Sequence, residues 1–188
     1  IRGVGIEGLG LVTQKGFICV DENFETSVKG IFAIGDVIGE PMLAHVASEE
    51  GIAAVERMAG MDSAVHYHAV PACIFTFPEI ATVGVCEDQA RQQGISYRTG
   101  KFQFAANGKA MTMGETDGLV KVIADQDDTI IGVHIMGAHA ADLILEATLM
   151  VKNRLKIDEV KGTIHPHPTL GECLQEAIAD IKSEAIHL

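Results

Sequence analysis

The chain has 188 residues, 47% of them apolar, which is enough for a real core in one domain or one and a half and too apolar for disorder. With 14 basic and 26 acidic residues the net charge is −12, which argues against nucleic acid or an anionic membrane surface as partner, because phosphates would be repelled. The four cysteines, Cys19, Cys73, Cys86 and Cys173, form no close pair and fit a reducing compartment with buried thiols.

Residues 1–16 contain Gly3, Gly5, Gly8, Gly10 and Gly16 and read as loop. Residues 17–20 and 31–34 are short apolar runs bounded by turn residues, so both read as buried strands. Gly35-Asp36 ends the second run, and Asp36 alone reads as a turn residue capping the next segment. From 43 to 59 the apolar residues Ala44, Ala47, Ile52, Val55 and Met58 have helical spacing, with Gly60 as a C-terminal stop. Strand, Gly-Asp turn and helix start together form the kind of crevice where α/β folds bind ligands.

Residues 61–70 read as a linker, and the pattern changes after it. Strands are predicted at 72–76, 80–85, 97–104, 118–124 and 129–136, with a helix at 88–93 ending before Gly94. The turn at 125–128 joins two of these strands into a hairpin. Helices are predicted at 140–152, 157–160 and 170–185. Bunched strands followed by bunched helices predict an α+β domain, an antiparallel sheet with helices. Residues 129–151 are the most apolar stretch, yet they include Asp142 and Glu146. A mid-bilayer acid costs ~2.5–3.5 kcal/mol, so the stretch reads as a buried strand and helix and not as a membrane span. The helix from Ala140 is apolar nearly all round and must be covered on every side, by its own domain or by a partner subunit.

The motif Thr163-Ile-His-Pro-His-Pro-Thr-Leu-Gly-Glu172 leaves three readings open. Paired histidines here, at His66 and His68, and at His134 and His139 can ligate zinc, but no complete set has fixed ligand spacing, so no metal is assigned. Thr169-Leu-Gly-Glu172 has the S/T-x-x-E spacing of a helix capping box. In the third reading, Glu172 orients His167 and favours its protonated form, making the imidazole an acid–base group. Proline on both sides of His167 restricts its backbone, as a positioned base requires.

Three segments resemble the pyridine nucleotide–disulfide oxidoreductases. Gly30–Gly51 (GIFAIGDVIGEPMLAHVASEEG) is similar to their second flavin-binding segment, residues 75–84 (FTFPEIATVG) to the opening of their dimerisation domain, and His165–Glu172 (HPHPTLGE) to their C-terminal active-site signature. The two-histidine form with leucine after HPT resembles the members that oxidise dihydrolipoamide. Glutathione reductases have a single histidine there, and mercuric reductases end in a cysteine pair. Pro166 stands where alanine is common and Gly171 where serine is common.

The resemblance implies residues 1–68 as the tail segment of an α/β FAD-binding domain and 69–188 as the dimerisation domain. It implies that Asp36 accepts a hydrogen bond from a flavin ribityl hydroxyl, and that the amides of Met42, Leu43, Ala44 and His45 face the ring's electron-rich edge. It implies His167 and Glu172 as the acid–base pair, FAD and NAD as cofactors of the whole protein, and a homodimer in which the base serves the partner's disulfide. The implied partner is the lipoyl domain of a 2-oxoacid dehydrogenase or glycine cleavage complex, in the bacterial cytoplasm or the mitochondrial matrix. Three family parts are expected to be absent: the G-x-G-x-x-G flavin fingerprint, the C-x-x-x-x-C redox pair and the NAD-binding Rossmann domain. This chain alone is therefore expected not to turn over or retain FAD. The alternatives are a non-catalytic dimerisation or scaffold module, or another disulfide reductase of the family.

Overall fold

The computed structural model describes Gly3 and residues 5–187; residues 1, 2 and 4 of the expected N-terminal loop, and residue 188, lie outside the described residues. The chain divides into two compact units, Ile1–Val65 and His66–Leu188.

In the first unit, β1 (Thr13–Gln14) and β2 (Phe17–Ile18) form a two-stranded antiparallel ribbon. The strand expected at 17–20 is therefore shorter. The strand expected at 31–34 does not form a ladder: the segment is joined to its surroundings by an isolated Glu25–Phe32 bridge. Its β-branched and aromatic residues favour extended backbone, but extension alone makes no sheet without a strand alongside. A 3₁₀ turn at Gly35–Ile38 leads towards α1 (Ala44–Met58). One stripe of α1, Val46, Glu50, Ala53 and Ala54, is buried. Ala53 and Ala54 pack with Phe24, and Val20, Phe32, Ile38 and Val65 close around them.

The second unit has a five-stranded antiparallel sheet in the order β3-β4-β7-β6-β5. Its strands are β3 (Ala72–Ile74), β4 (Glu79–Gly84), β5 (Tyr97–Gln103), β6 (Leu119–Asp125) and β7 (Ile130–Gly137). Among the described residues its α-helices are α2 (Glu87–Gln92), α3 (Gly108–Met113), α4 (Ala140–Lys152), α5 (Ile157–Lys161) and α6 (Glu172–Asp180). The hairpin expected at 125–128 joins β6 to β7. Alternate residues Val120, Val122 and Ala124 of β6 and Val133 and Ile135 of β7 form one core with Ile144, Ala147 and Met150 of α4 and Leu174, Ala177 and Ile178 of α6. The period of two on the strands and of three to four on the helices brings both sets to one interior. Gly100 lets α6 come down onto β5, because a Cβ there would collide with the Ala177 carbonyl and with Ile181.

In the second unit, two helices differ from expectation. The final helix spans Glu172–Asp180 instead of 170–185. The Leu174, Ala177, Ile178 and Ile181 stripe is buried as the periodicity requires, but residues 181–183 form a turn and the chain leaves the helix there. α3 was not anticipated: Asn107 caps it, its side-chain oxygen accepting the Ala110 amide at 2.9 Å, and Gly114 ends it with φ +74°. Among the described residues no helix is long and apolar enough to cross a membrane.

Candidate functional site

The two units each carry one part of the expected chemistry. In the first, the tight turn at Gly35–Ile38 holds Asp36, whose side chain is exposed. Gly35 is buried at φ +71°, and a Cβ added there would lie 2.9 Å from the Ala47 Cβ, so the turn approaches α1 as closely as its backbone allows. Glu50, only 3% exposed, reaches from α1 to accept the Gly35 amide at 2.7 Å. This glutamate was not singled out in the sequence, although it occupies a core position of the α1 stripe, where a carboxylate needs a partner.

Met42 precedes α1, Leu43 is its N-cap, and Ala44 and His45 open its first turn. Leu43 has no side-chain group to cap the helix, and the first turn has no acidic residue. The Leu43 amide donates to the Pro41 carbonyl at 3.0 Å, and the dipole of α1 favours an electron-rich group at its start. An exposed carboxylate, an uncapped helix start and a turn with no room for a side chain are what a flavin's hydroxylated chain and ring edge require. The residues present fit FAD. Gly3–Gly8, by contrast, does have the G-x-G-x-x-G spacing that was expected to be absent. It runs into a three-residue 3₁₀ turn, Glu7–Leu9, instead of a helix, so it lacks the helix end that makes such a string a pyrophosphate site.

In the second unit, the motif loop is held by α4, by Asn107 and by bonds among its own residues. Nε2 of His165 lies 2.9 Å from Glu146 Oε1 on α4, and Nδ1 lies 3.1 Å from the Thr163 carbonyl; the side chain is 5% exposed. Asn107 donates through Nδ2 to the Thr169 carbonyl at 3.0 Å, so the cap of α3 also fixes the loop. Thr169 Oγ1 donates to the Pro166 carbonyl at 2.8 Å. The Thr169 amide donates to Glu172 Oε2 at 2.8 Å. The capping box is therefore half formed. Its glutamate reaches back as expected, but the threonine hydroxyl is turned to Pro166, and Gly171 takes the N-cap position. His165, weighed above only as a metal ligand, is a clamp between α4 and this loop.

His167 and Glu172 are brought together. His167 Nδ1–H donates to Glu172 Oε1 at 2.8 Å while Oε2 holds the Thr169 amide. The ring is 77% exposed and the carboxylate 24%. Nδ1–H on the carboxylate leaves Nε2 as the nitrogen available to a proton from outside. Burial raises the Glu172 carboxyl, but the Thr169 amide and the His167 ring outweigh it, and the net shift is downward. A carboxylate held down in this way keeps its charge and can stabilise an imidazolium as it forms. Cys173 beside it is no rival nucleophile: it is buried, and its thiol is pushed up to about 12, burial being the largest cause.

This geometry has a stability consequence. A carboxyl lowered on folding contributes stability that is present above its ordinary pKa, ~4.3, and is lost as pH falls through the lowered value. Glu172 and Glu176 are both lowered. Thermal midpoints should therefore fall as the pH drops below the ordinary carboxylate range, and Glu172→Gln should flatten that fall. A melting series at stepped pH checks it; equal slopes in both proteins would remove Glu172 from the account.

The sequence profile of the pyridine nucleotide-disulphide oxidoreductase dimerisation domain matches residues 70–178, and that of the pyridine nucleotide-disulphide oxidoreductase domain matches residues 2–51. The chain belongs to the pyridine nucleotide-disulphide oxidoreductase family. Within the family it is 48% identical to the dihydrolipoyl dehydrogenase of Bacillus subtilis (strain 168) over its whole length, covering 40% of that protein. It is 43% identical to mitochondrial dihydrolipoyl dehydrogenase 2 of Arabidopsis thaliana, covering 37%. The crystal structure of LpdA from Mycobacterium tuberculosis superposes with a TM-score of 0.88 at 30% identity, over 94% of this chain and 39% of LpdA. The chain thus spans about 40% of the length of the curated relatives it matches. The α+β second unit, an antiparallel sheet with helices, is the family's dimerisation domain.

Proposed function

We propose that this chain is the C-terminal part of a flavoprotein that oxidises protein-bound dihydrolipoamide to lipoamide and reduces NAD⁺. The observation that carries the reading is the His167–Glu172 pair, an exposed imidazole whose Nδ1–H is fixed on a carboxylate at 2.8 Å. A dithiol must lose a proton before its sulfur attacks a disulfide. His167 Nε2 takes that proton. An imidazole is a suitable general base for a thiol proton. Glu172 holds the ring in one tautomer and stabilises the imidazolium. The names of the relatives, dihydrolipoyl dehydrogenases of bacteria and mitochondria, support this choice over other disulfide reductases.

Asp36 and the start of α1, at residues 42–45, would hold the flavin: the carboxylate would accept from a ribityl hydroxyl, and the helix dipole would favour negative charge on the ring. FAD, when bound, supplies the electron relay between dithiol and NAD⁺. The protein is a homodimer through residues 69–188, and residues 1–68 complete a FAD-binding domain. Its partner is the lipoyl domain of a 2-oxoacid dehydrogenase or glycine cleavage complex, in the bacterial cytoplasm or the mitochondrial matrix.

Anaerobic mixing of the complete flavoprotein with dihydrolipoamide should bleach its flavin absorbance within the dead time of manual mixing, whereas reduced glutathione at the same thiol concentration should not. Equal response to both thiols sinks the substrate assignment and leaves only a disulfide reductase.

A further inference from the structure

A second histidine–glutamate pair shares a cavity with the first. The cavity has a volume of about 230 Å³, and its lining includes Phe102, Met111, His167, Glu172, Glu176 and His187. Glu176 comes four residues after Glu172 on α6, so the two carboxylates lie on one face, one turn apart. Like charges at this spacing repel unless each has its own partner. Glu172 has His167 and the Thr169 amide. Glu176, whose side chain is 13% exposed, has the chain's tail: Oε1 accepts from His187 Nδ1 at 2.8 Å, and Oε2 accepts the Ile186 amide at 2.7 Å and the His187 amide at 3.4 Å. After the turn at 181–183 the chain therefore doubles back along α6 and delivers an imidazole to the wall of the cavity that His167 occupies.

We infer that His187, anchored on Glu176, is a positioning residue for the His167–Glu172 pair. It partners the second carboxylate and walls the shared cavity, so that Glu172 alone fixes the His167 ring. Its position relative to the first pair is also felt electrostatically, as His187 contributes to lowering the Glu172 carboxyl. Without His187, Glu176 keeps only backbone donors. His167 is then the one imidazole lining a cavity with two carboxylates, and its ring is no longer committed through Nδ1 to one of them. This inference rests on the reading of His167 as the base.

The test uses the complete flavoprotein with ¹⁵N-labelled histidine. The native His167 ring should report protonated Nδ1 and bare Nε2 in its neutral form. His187→Leu fills the same space without a donor. It should give a mixture of His167 tautomers and slow the dithiol half-reaction about tenfold, a fraction of the ~10²–10⁴ a general base supplies. His187→Asn keeps a donor for Glu176 and should restore both the single tautomer and the rate. The inference is overturned if His187→Leu leaves the His167 signals and the rate unchanged. It is equally overturned if His187→Asn fails to restore them at an unchanged melting temperature. The nitrogen signals need no turnover. If His167 proves not to be the base, they still decide whether His187 positions it, and the two failures stay distinct.

Discussion

His167→Gln in the complete flavoprotein is expected to slow flavin reduction by dihydrolipoamide about 10²- to 10⁴-fold, the range a general base supplies, with flavin content unchanged. The reason is where the ring sits. It is 77% exposed and makes one side-chain bond, to Glu172, so truncating its proton chemistry removes little packing. Glutamine can still donate a hydrogen bond to the carboxylate, but it offers no basic nitrogen to a thiol. Glu172→Gln should cost less in rate and more in stability. The carboxylate serves two donors at once, His167 through Oε1 and the Thr169 amide through Oε2. An amide has one oxygen and must choose between them. Losing the Thr169 contact is the loss of a cap, about 0.5–2 kcal/mol. Losing the charge leaves the imidazolium without its counterion. A motif that merely started a helix would give the opposite pattern: both variants would melt earlier and turn over normally per folded dimer. Rate and melting temperature measured on the same two preparations separate these cases, and wild-type turnover in His167→Gln ends the base assignment.

The sequence made some of this visible and concealed the rest for physical reasons. Periodicity was sufficient for the second unit, because its strands bury one face and its helices one stripe; β6, β7 and α4 fall within a residue or two of the expected spans. It failed for α3, whose Gly108-Lys-Ala-Met-Thr-Met113 is too short to show a period and is made by the Asn107 cap. The expected strand at 31–34 illustrates the other limit, since a strand's pairing depends on what lies beside it and apolar runs do not reveal that. At the candidate site, the His167–Glu172 spacing was legible because a tight loop and a helix start bring positions five apart together. Glu50 was readable in principle as a carboxylate in an apolar stripe. The Glu146–His165 and Glu176–His187 contacts span 19 and 11 residues across turns. No local pattern encodes them; they arise only once α4 and the tail have packed.

Leu145→Asp combined with Leu149→Asp is expected to convert the protein to monomers and abolish dithiol oxidation. These leucines lie one turn apart on α4 and are 62% and 60% exposed, whereas Ile144, Ala147, Met150 and Val151 of the same helix are buried in the core of their own unit. The helix was expected to need cover on every side, and its own sheet covers one. In a two-fold interface each leucine occurs twice. Burying a leucine is worth about 1.5–3 kcal/mol, so four of them represent a large share of the free energy that holds two subunits together. An aspartate in their place adds an unpaired charge to a surface that closes dry, which costs more again. The core face of α4 is untouched, so each subunit should keep its fold and its His167–Glu172 bond. Activity should nevertheless vanish, because the proposed base serves the disulfide of the other subunit. Sedimentation at micromolar concentration reads the first half of this prediction and thiol-driven flavin reduction the second. If the two leucines face only water, the substitutions should shift stability by less than about 0.5 kcal/mol, and a dimer sedimenting as wild type with full activity would place the interface elsewhere on the unit.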